Sequence, residues 1–242
     1  MKKIYILFLI ILLLQSFIFI SCNSETSPTV DKIMSEYFPT TIGNWWKYEN
    51  WVLDSNGLRT KNISVDSVVV ENIIYYEGKN SVVLVTYSSR DDTVIKSTNY
   101  IAIEGSKLLA YMNLTFSDGD SIPWITAADL DGSEWLMVEK DIINENNQVK
   151  NEFYIKISGS KGAVLDFNFK SDILKVQEFM TYYIQRTSTI MPKDTVKTDM
   201  ESSYQDLYCK GIGQVYSKYM MVKNLGYERQ GYETTLIDYY VK

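Results

Sequence analysis

From Asn44 to the C-terminus, apolar residues return again and again at every second position. Phe153, Ile155 and Ile157 alternate with Tyr154, Lys156 and Ser158; Ala163, Leu165, Phe167 and Phe169 alternate with Val164, Asp166 and Asn168. Leu108, Ala110, Met112 and Leu114 form a third one-sided set, and Ile95, Ile101 and Ile103 a fourth. Successive side chains of an extended strand point to opposite faces, so a period of two predicts strands with one dry face and one wet face. Val82 to Val85 is apolar on both faces and reads as a central strand. Turn-forming clusters separate the runs: Asp54-Ser55-Asn56-Gly57, Glu77-Gly78-Lys79-Asn80, Ser89-Arg90-Asp91-Asp92, Glu104-Gly105-Ser106, Asn144 to Asn147 and Ser158 to Gly162. Connections this short join antiparallel neighbours, because parallel strands need long crossovers. The pattern predicts an all-β fold: a single antiparallel meander of about ten strands in a curved, half-barrel-like sheet, with a β-sandwich as the alternative. One short helix is expected between Val30 and Phe38, stopped by Pro39. Ser117 to Ser133 reads as a long loop around Pro123 and Trp124, and Thr187 to Ser203 as a polar excursion around Pro192.

The N-terminus follows a different rule. Lys2 and Lys3 precede an uncharged apolar run, Ile4 to Ile20, broken only by Gln15 and Ser16. A cationic start and an apolar middle make a secretory signal. The run is also nearly long enough to span a bilayer, so an uncleaved signal anchor is the rival reading. Phe19-Ile20-Ser21-Cys22 resembles the lipobox of bacterial lipoproteins, with Phe19 where that family usually has Leu. The resemblance implies cleavage before Cys22 and acylation of its thiol, anchoring the chain in a membrane through acyl chains such as palmitate. Each buried methylene contributes about 0.8 kcal/mol, so two or three chains hold a protein there stably. Asn23 follows the cysteine in place of the Asp that resembles an inner-membrane retention signal. The expected location is the outer membrane, with the face left open. The chain therefore divides into a signal peptide (1–21), a polar tether (22–30) and a single β domain (31–242).

Composition removes several classes of function. Without the leader, 22 basic residues face 30 acidic ones, a net charge of −8. Nucleic acid is not an expected partner, since phosphate recognition needs a basic surface. The chain has no histidine, so Ser-His-Asp triads, Cys-His pairs and His-containing zinc sites are impossible. The remaining cysteine, Cys209, is expected to be buried and inert. No catalytic residue and no cofactor is predicted.

The segment Tyr37-Phe38-Pro39-Thr40-Thr41-Ile42-Gly43-Asn44-Trp45-Trp46-Lys47-Tyr48 is the most distinctive of the mature chain. It resembles the opening of many uncharacterised bacterial envelope lipoproteins, and Gly211-Ile212-Gly213-Gln214-Val215 resembles the start of a late strand in them. That resemblance covers about thirty residues and implies an all-β, half-barrel sheet, but no reaction. Read as a strand, the segment puts Trp46 and Tyr48 on one face and Trp45, Lys47 and Glu49 on the other. One Trp should enter the core. Trp45, with Trp51 or Trp124, is the candidate aromatic platform for a sugar ring or lipid. Asp129, Asp131 and Glu134 are the candidate hard-oxygen ligands for calcium, although ordinary turns explain them as well. These features lead us to expect a non-catalytic, lipid-anchored binding module for a hydrophobic or glycan ligand or an envelope partner. The alternatives are an accessory subunit of an outer-membrane assembly and a hydrolase that uses two carboxylates on carbohydrate.

Overall fold

The structure, a computed structural model, describes residues 34–90, 93–116, 119–145, 149–191, 194–224 and 231–242. The leader, Cys22 and the tether lie outside the described residues. A 3-10 turn, Met34–Glu36, precedes twelve strands. They are β1 (Trp45–Leu53), β2 (Arg59–Tyr76), β3 (Lys79–Arg90), β4 (Thr93–Glu104), β5 (Lys107–Thr115) and β6 (Ser121–Asp129) in the first half. The second half holds β7 (Glu134–Glu145), β8 (Lys150–Phe169), β9 (Asp172–Met191), β10 (Asp194–Cys209), β11 (Gly213–Asn224) and β12 (Gly231–Tyr240). All twelve form one antiparallel sheet in the order β6-β5-β4-β3-β2-β1-β12-β11-β10-β9-β8-β7. The sheet curls into a nearly closed barrel. The first and last strands meet at its centre, and β6 and β7 face each other across an unpaired seam.

Two segments expected to be irregular are strands. The stretch Ser117–Ser133 contains β6, with Pro123 inside it. Proline removes a ladder donor, which an edge strand or a bulge tolerates. Pro123 has both conditions: β6 ends the sheet, and Pro123 falls at the register shift where Tyr111 pairs Trp124 and Leu114 pairs Ile122. The stretch Thr187–Ser203 is the β9–β10 hairpin, polar because much of it faces solvent. Ser158–Gly162 is not a turn but the middle of β8. Gly159 is needed because the Trp135 indole lies where a Cβ would be; at Gly162 that place is taken by the Glu178 carboxylate, the end of a flexible side chain.

The closed end explains the N-terminal element. Met34 N–H donates to Gly105 O at the β4–β5 turn (3.0 Å), and Gly211 N–H donates to Glu36 O from the β10–β11 turn (2.6 Å). Lys210 reinforces this through an ion pair to Glu36. The 3-10 turn thus straps two opposite walls, with Met34 and Phe38 buried beneath it. The chain then bends at Gly43, whose φ of +90° is costly for any residue with a Cβ. Asn44 is fully buried and locks both ends of the domain: its Nδ2 donates to Pro39 O and its Oδ1 accepts from Lys242 N–H.

The tip of the second hairpin in each six-strand half packs against neighbouring strands. Trp124 Nε1 donates to Glu77 O, which ties the β2–β3 turn to β6 across β4 and β5. Tyr76 stacks on Tyr100 with centroids 4.2 Å apart. In the other half, the β8–β9 tip places Phe167 against Tyr216, Phe169 against Tyr239 and Lys170 beside Asp238.

Candidate functional site

The concave face is built in tiers. Its floor is aromatic: Phe38 lies 5.8 Å from Trp46 and 6.2 Å from Tyr208, and Phe179 lies 5.7 Å from Tyr208, centroid to centroid. Trp46 is the tryptophan that enters the core, as the alternation predicted, and its indole N–H donates to Ile212 O. Gly213 sits beside it at a φ of +111°, which favours glycine, and a Cβ there would crowd Trp46 Nε1 at 3.0 Å. Above this floor is a cavity of about 250 Å³ bounded by Tyr48, Val68, Leu84, Ile101 and Gln214.

A polar tier follows. Tyr48 O–H donates to Gln214 O at 3.0 Å, and Gln214 Nε2 donates to Asp206 Oδ1 at 2.8 Å. Thr234 Oγ1 donates to Asn50 Oδ1, whose Nδ2 donates to Ser64 Oγ. Asp66 pairs across the strands with Tyr48 and Ser88, so it shares the concave face. Its Oδ1 is buried and has no hydrogen-bond partner. In sheet order Asp66 on β2 and Asp206 on β10 are separated by β1, β12 and β11. Burial raises the Asp206 pKa against the lowering effect of its Ser217 and Gln214 hydrogen bonds.

This shift has a sign that can be checked. A carboxyl held above its unfolded pKa binds more protons in the native state, so it stabilises below the ordinary carboxylate range. That contribution is lost as pH rises through the folded pKa. Asp206→Asn keeps an acceptor for Gln214 and an amide for Ser217. Its Tm is expected to exceed that of the parent at pH 7, with the difference vanishing near pH 3. Parallel melts that show an equal difference at both pH values would rule out a titrating Asp206.

The upper tier is a row of four tyrosines. Tyr183 on β9, Tyr204 on β10, Tyr219 on β11 and Tyr232 on β12 come onto the concave face because Tyr204 pairs with Tyr219, Tyr219 with Tyr232, and Ser202 with Tyr183. Ring centroids are 4.7 Å apart for Tyr204–Tyr219 and 6.1 Å for Tyr219–Tyr232. Tyr204 and Tyr232 are 41% and 45% exposed, so the row is open to solvent. Burial raises the pKa values of Tyr183 and Tyr204 above the ordinary phenol value. Beside Tyr183, a small apolar wall of Val138, Ile155 and Ile157 packs against Ile122 and Ile125 across the seam.

The tryptophans singled out from sequence lie elsewhere. Trp45 and Trp51 are on the convex face of β1, where Trp51 sits under the Arg59 guanidinium at 5.2 Å. Trp124 is far from both, in a cluster with Tyr111, Tyr100 and Tyr76 that holds down the β2–β3 tip. There the Tyr76 hydrogen bond pushes the Tyr111 hydroxyl up to about 12. Trp124 is therefore not beside Trp45, whereas Trp51 shares the convex face of β1 with Trp45. Asp129 caps a turn, accepting from Ser106 Oγ and Asp131 N–H, while Asp131 and Glu134 are exposed. Among the described residues no three Asp, Glu, Cys or His side chains gather as metal ligands. Cys209 is buried, and burial raises its thiol pKa.

Composition signalled the tyrosine row only in part. Tyr204, Tyr219 and Tyr232 belong to a tyrosine-rich C-terminal stretch in which nothing local singles them out, and their convergence depends on register. Tyr183 and Asp66 carry no signal of their own in the sequence.

No protein-family model and no curated protein matches the sequence. Two solved structures resemble the chain. A candidate lipoprotein from Parabacteroides distasonis ATCC 8503 is 14% identical, with a TM-score of 0.48 over 84% of this chain and 98% of that one. A candidate exported protein with a YmcC-like fold from Bacteroides fragilis NCTC 9343 is 13% identical, with a TM-score of 0.41 over the same shares.

Proposed function

We propose that this chain is a lipid-anchored envelope protein that binds a ligand on its concave face and carries out no chemistry. The observation that carries the reading is the tyrosine row, open to solvent above a closed aromatic floor. Aromatic rings offer large contact area at low entropic cost, and a solvated row of them is a natural docking surface. The anchor follows from the cationic start, the apolar run and Cys22. Asn23 favours the outer membrane.

One experiment addresses both parts. Cys22→Ser is expected to abolish incorporation of labelled palmitate and move the protein to the soluble fraction. Native mass spectrometry of protein isolated from its envelope is expected to show a bound mass that Tyr219→Ala loses. Retention of the mass by Tyr219→Ala would remove the tyrosine row from consideration. Unchanged labelling of Cys22→Ser would remove the anchor.

A second reading, an accessory subunit of an envelope assembly, is favoured by the exposed apolar residues Leu58, Val94, Ile143 and Val196 near the open ends of β1, β4, β7 and β10. It predicts protein crosslinks from these positions.

A further inference from the structure

We infer that the concave site takes a neutral, hydroxyl-bearing ring ligand, an oligosaccharide in chemical terms, and that Asp66 is the acceptor that selects it. The inference rests on the binding reading above and names the ligand class for that site. Three observations lead to it.

The first is the shape of the row. Tyr204, Tyr219 and Tyr232 succeed one another on adjacent strands, with the last two rings only 17° from parallel. Set side by side along one wall, the three rings do not enclose a point as the cage around a lone cation does, and the exposed Tyr204 and Tyr232 at its two ends leave the row open to an extended ring ligand.

The second is the polar tier beneath. Asn50, Ser64 and Thr234 already satisfy one another. Asp66 does not share in this: its Oδ1 is buried without a donor. Leaving a buried acceptor unpaired is unfavourable, because it has given up its water without gaining a donor. A hydroxyl from a ligand relieves that cost; an acyl chain seated there perpetuates it.

The third is charge. The cross-strand neighbours of Asp66 are Tyr48 and Ser88, and those of Asp206 are Phe179 and Ser217. Among the described residues no cation is a cross-strand neighbour of either carboxyl, so a fatty-acid carboxylate, or a sugar bearing uronate or sulfate, would find no positive partner there.

The test uses the full chain in lipid nanodiscs, probed on an array of neutral and acidic oligosaccharides, and in parallel with a fluorescent fatty acid and a long-chain alkylammonium. Neutral oligosaccharides are expected to bind and acidic ones to fail. Asp66→Leu is expected to weaken the best neutral oligosaccharide by about tenfold or more, the loss of one hydrogen bond to a charged group. Its Tm should be unchanged or higher, because the variant also removes an unpaired buried acceptor. Weaker binding together with a lower Tm would assign Asp66 a structural role and overturn its selecting role. Binding of only the fatty acid or only the alkylammonium, abolished by Tyr219→Ala, would overturn the oligosaccharide while leaving the binding module standing. Binding of no probe would overturn both.

Discussion

Gly159→Val is expected to open the barrel at its seam. β6 and β7 share no ladder among the described residues, so side chains alone close the gap between them. The main latch is Trp135 on β7. Its indole lies directly over Gly159, touches Phe179 and donates from Nε1 to Thr126 O on β6 at 2.8 Å. The Lys161 ammonium adds a hydrogen bond to Leu130 O, and Lys140 pairs with Asp120. A valine at 159 places its Cβ inside the Trp135 ring, so the indole must leave. Overpacking of this kind costs about 1–3 kcal/mol in well-packed interiors. Here the cost has a direction, because ejecting the ring also removes the bond to β6. Hydrogen exchange is expected to speed up at β6 and at the edge of β7, with β1 and β12 unaffected. Trp135→Phe separates the two roles: it keeps most of the packing and loses only the donor. Uniform acceleration across all strands in Gly159→Val would mean global destabilisation instead of seam opening.

Trp46→Ala should produce the largest loss of stability. Trp46 is 1% exposed, packs on Phe38, fills the space left by Gly213 and donates to Ile212 O. Removing a buried tryptophan of this kind costs about 3–5 kcal/mol. The strap at the closed end loses its support as well, because Phe38 rests on the ring. Chemical denaturation is expected to show a lower midpoint at an unchanged m-value. Trp46→Phe should recover part of the loss, since it restores ring packing but not the N–H. A fall of less than about 1 kcal/mol in Trp46→Ala would show that the floor collapses into the vacated volume.

The strands were readable wherever one face is dry. Ile155, Ile157, Trp46 and Tyr48 are buried on the sides that alternation assigns them, and Val82 to Val85 is buried on both. What alternation cannot see is the neighbour. Gly159 and Gly162 look like turn residues along the chain, yet their smallness serves Trp135 and Glu178 on adjacent strands. Pro123 looks like a breaker, yet it occupies a bulge at the sheet edge. Bulges also reset the faces. Shifts between Lys47 and Tyr48 and between Leu207 and Tyr208 change which side chains point inward beyond them. The tyrosine row is the product of four strand pairings, so no local window contains it. The candidate tryptophans illustrate the converse: prominent residues, placed by register on the convex face.

The meeting of β1 and β12 at the centre of the sheet sets the order of assembly. Every other pairing joins consecutive strands, which can zip as soon as their turn forms. The β1–β12 pairing alone spans almost the whole domain, matching Trp45 with Tyr240 and Leu53 with Gly231. Bringing such distant residues together incurs loop-closure entropy before any contact compensates it, so this step governs the folding rate. Until the last ten strand residues are available, two half-sheets wait with β1 and β11 edges bare. Asn44 then receives the Lys242 amide, so a residue just past β12 completes the first strand's entry.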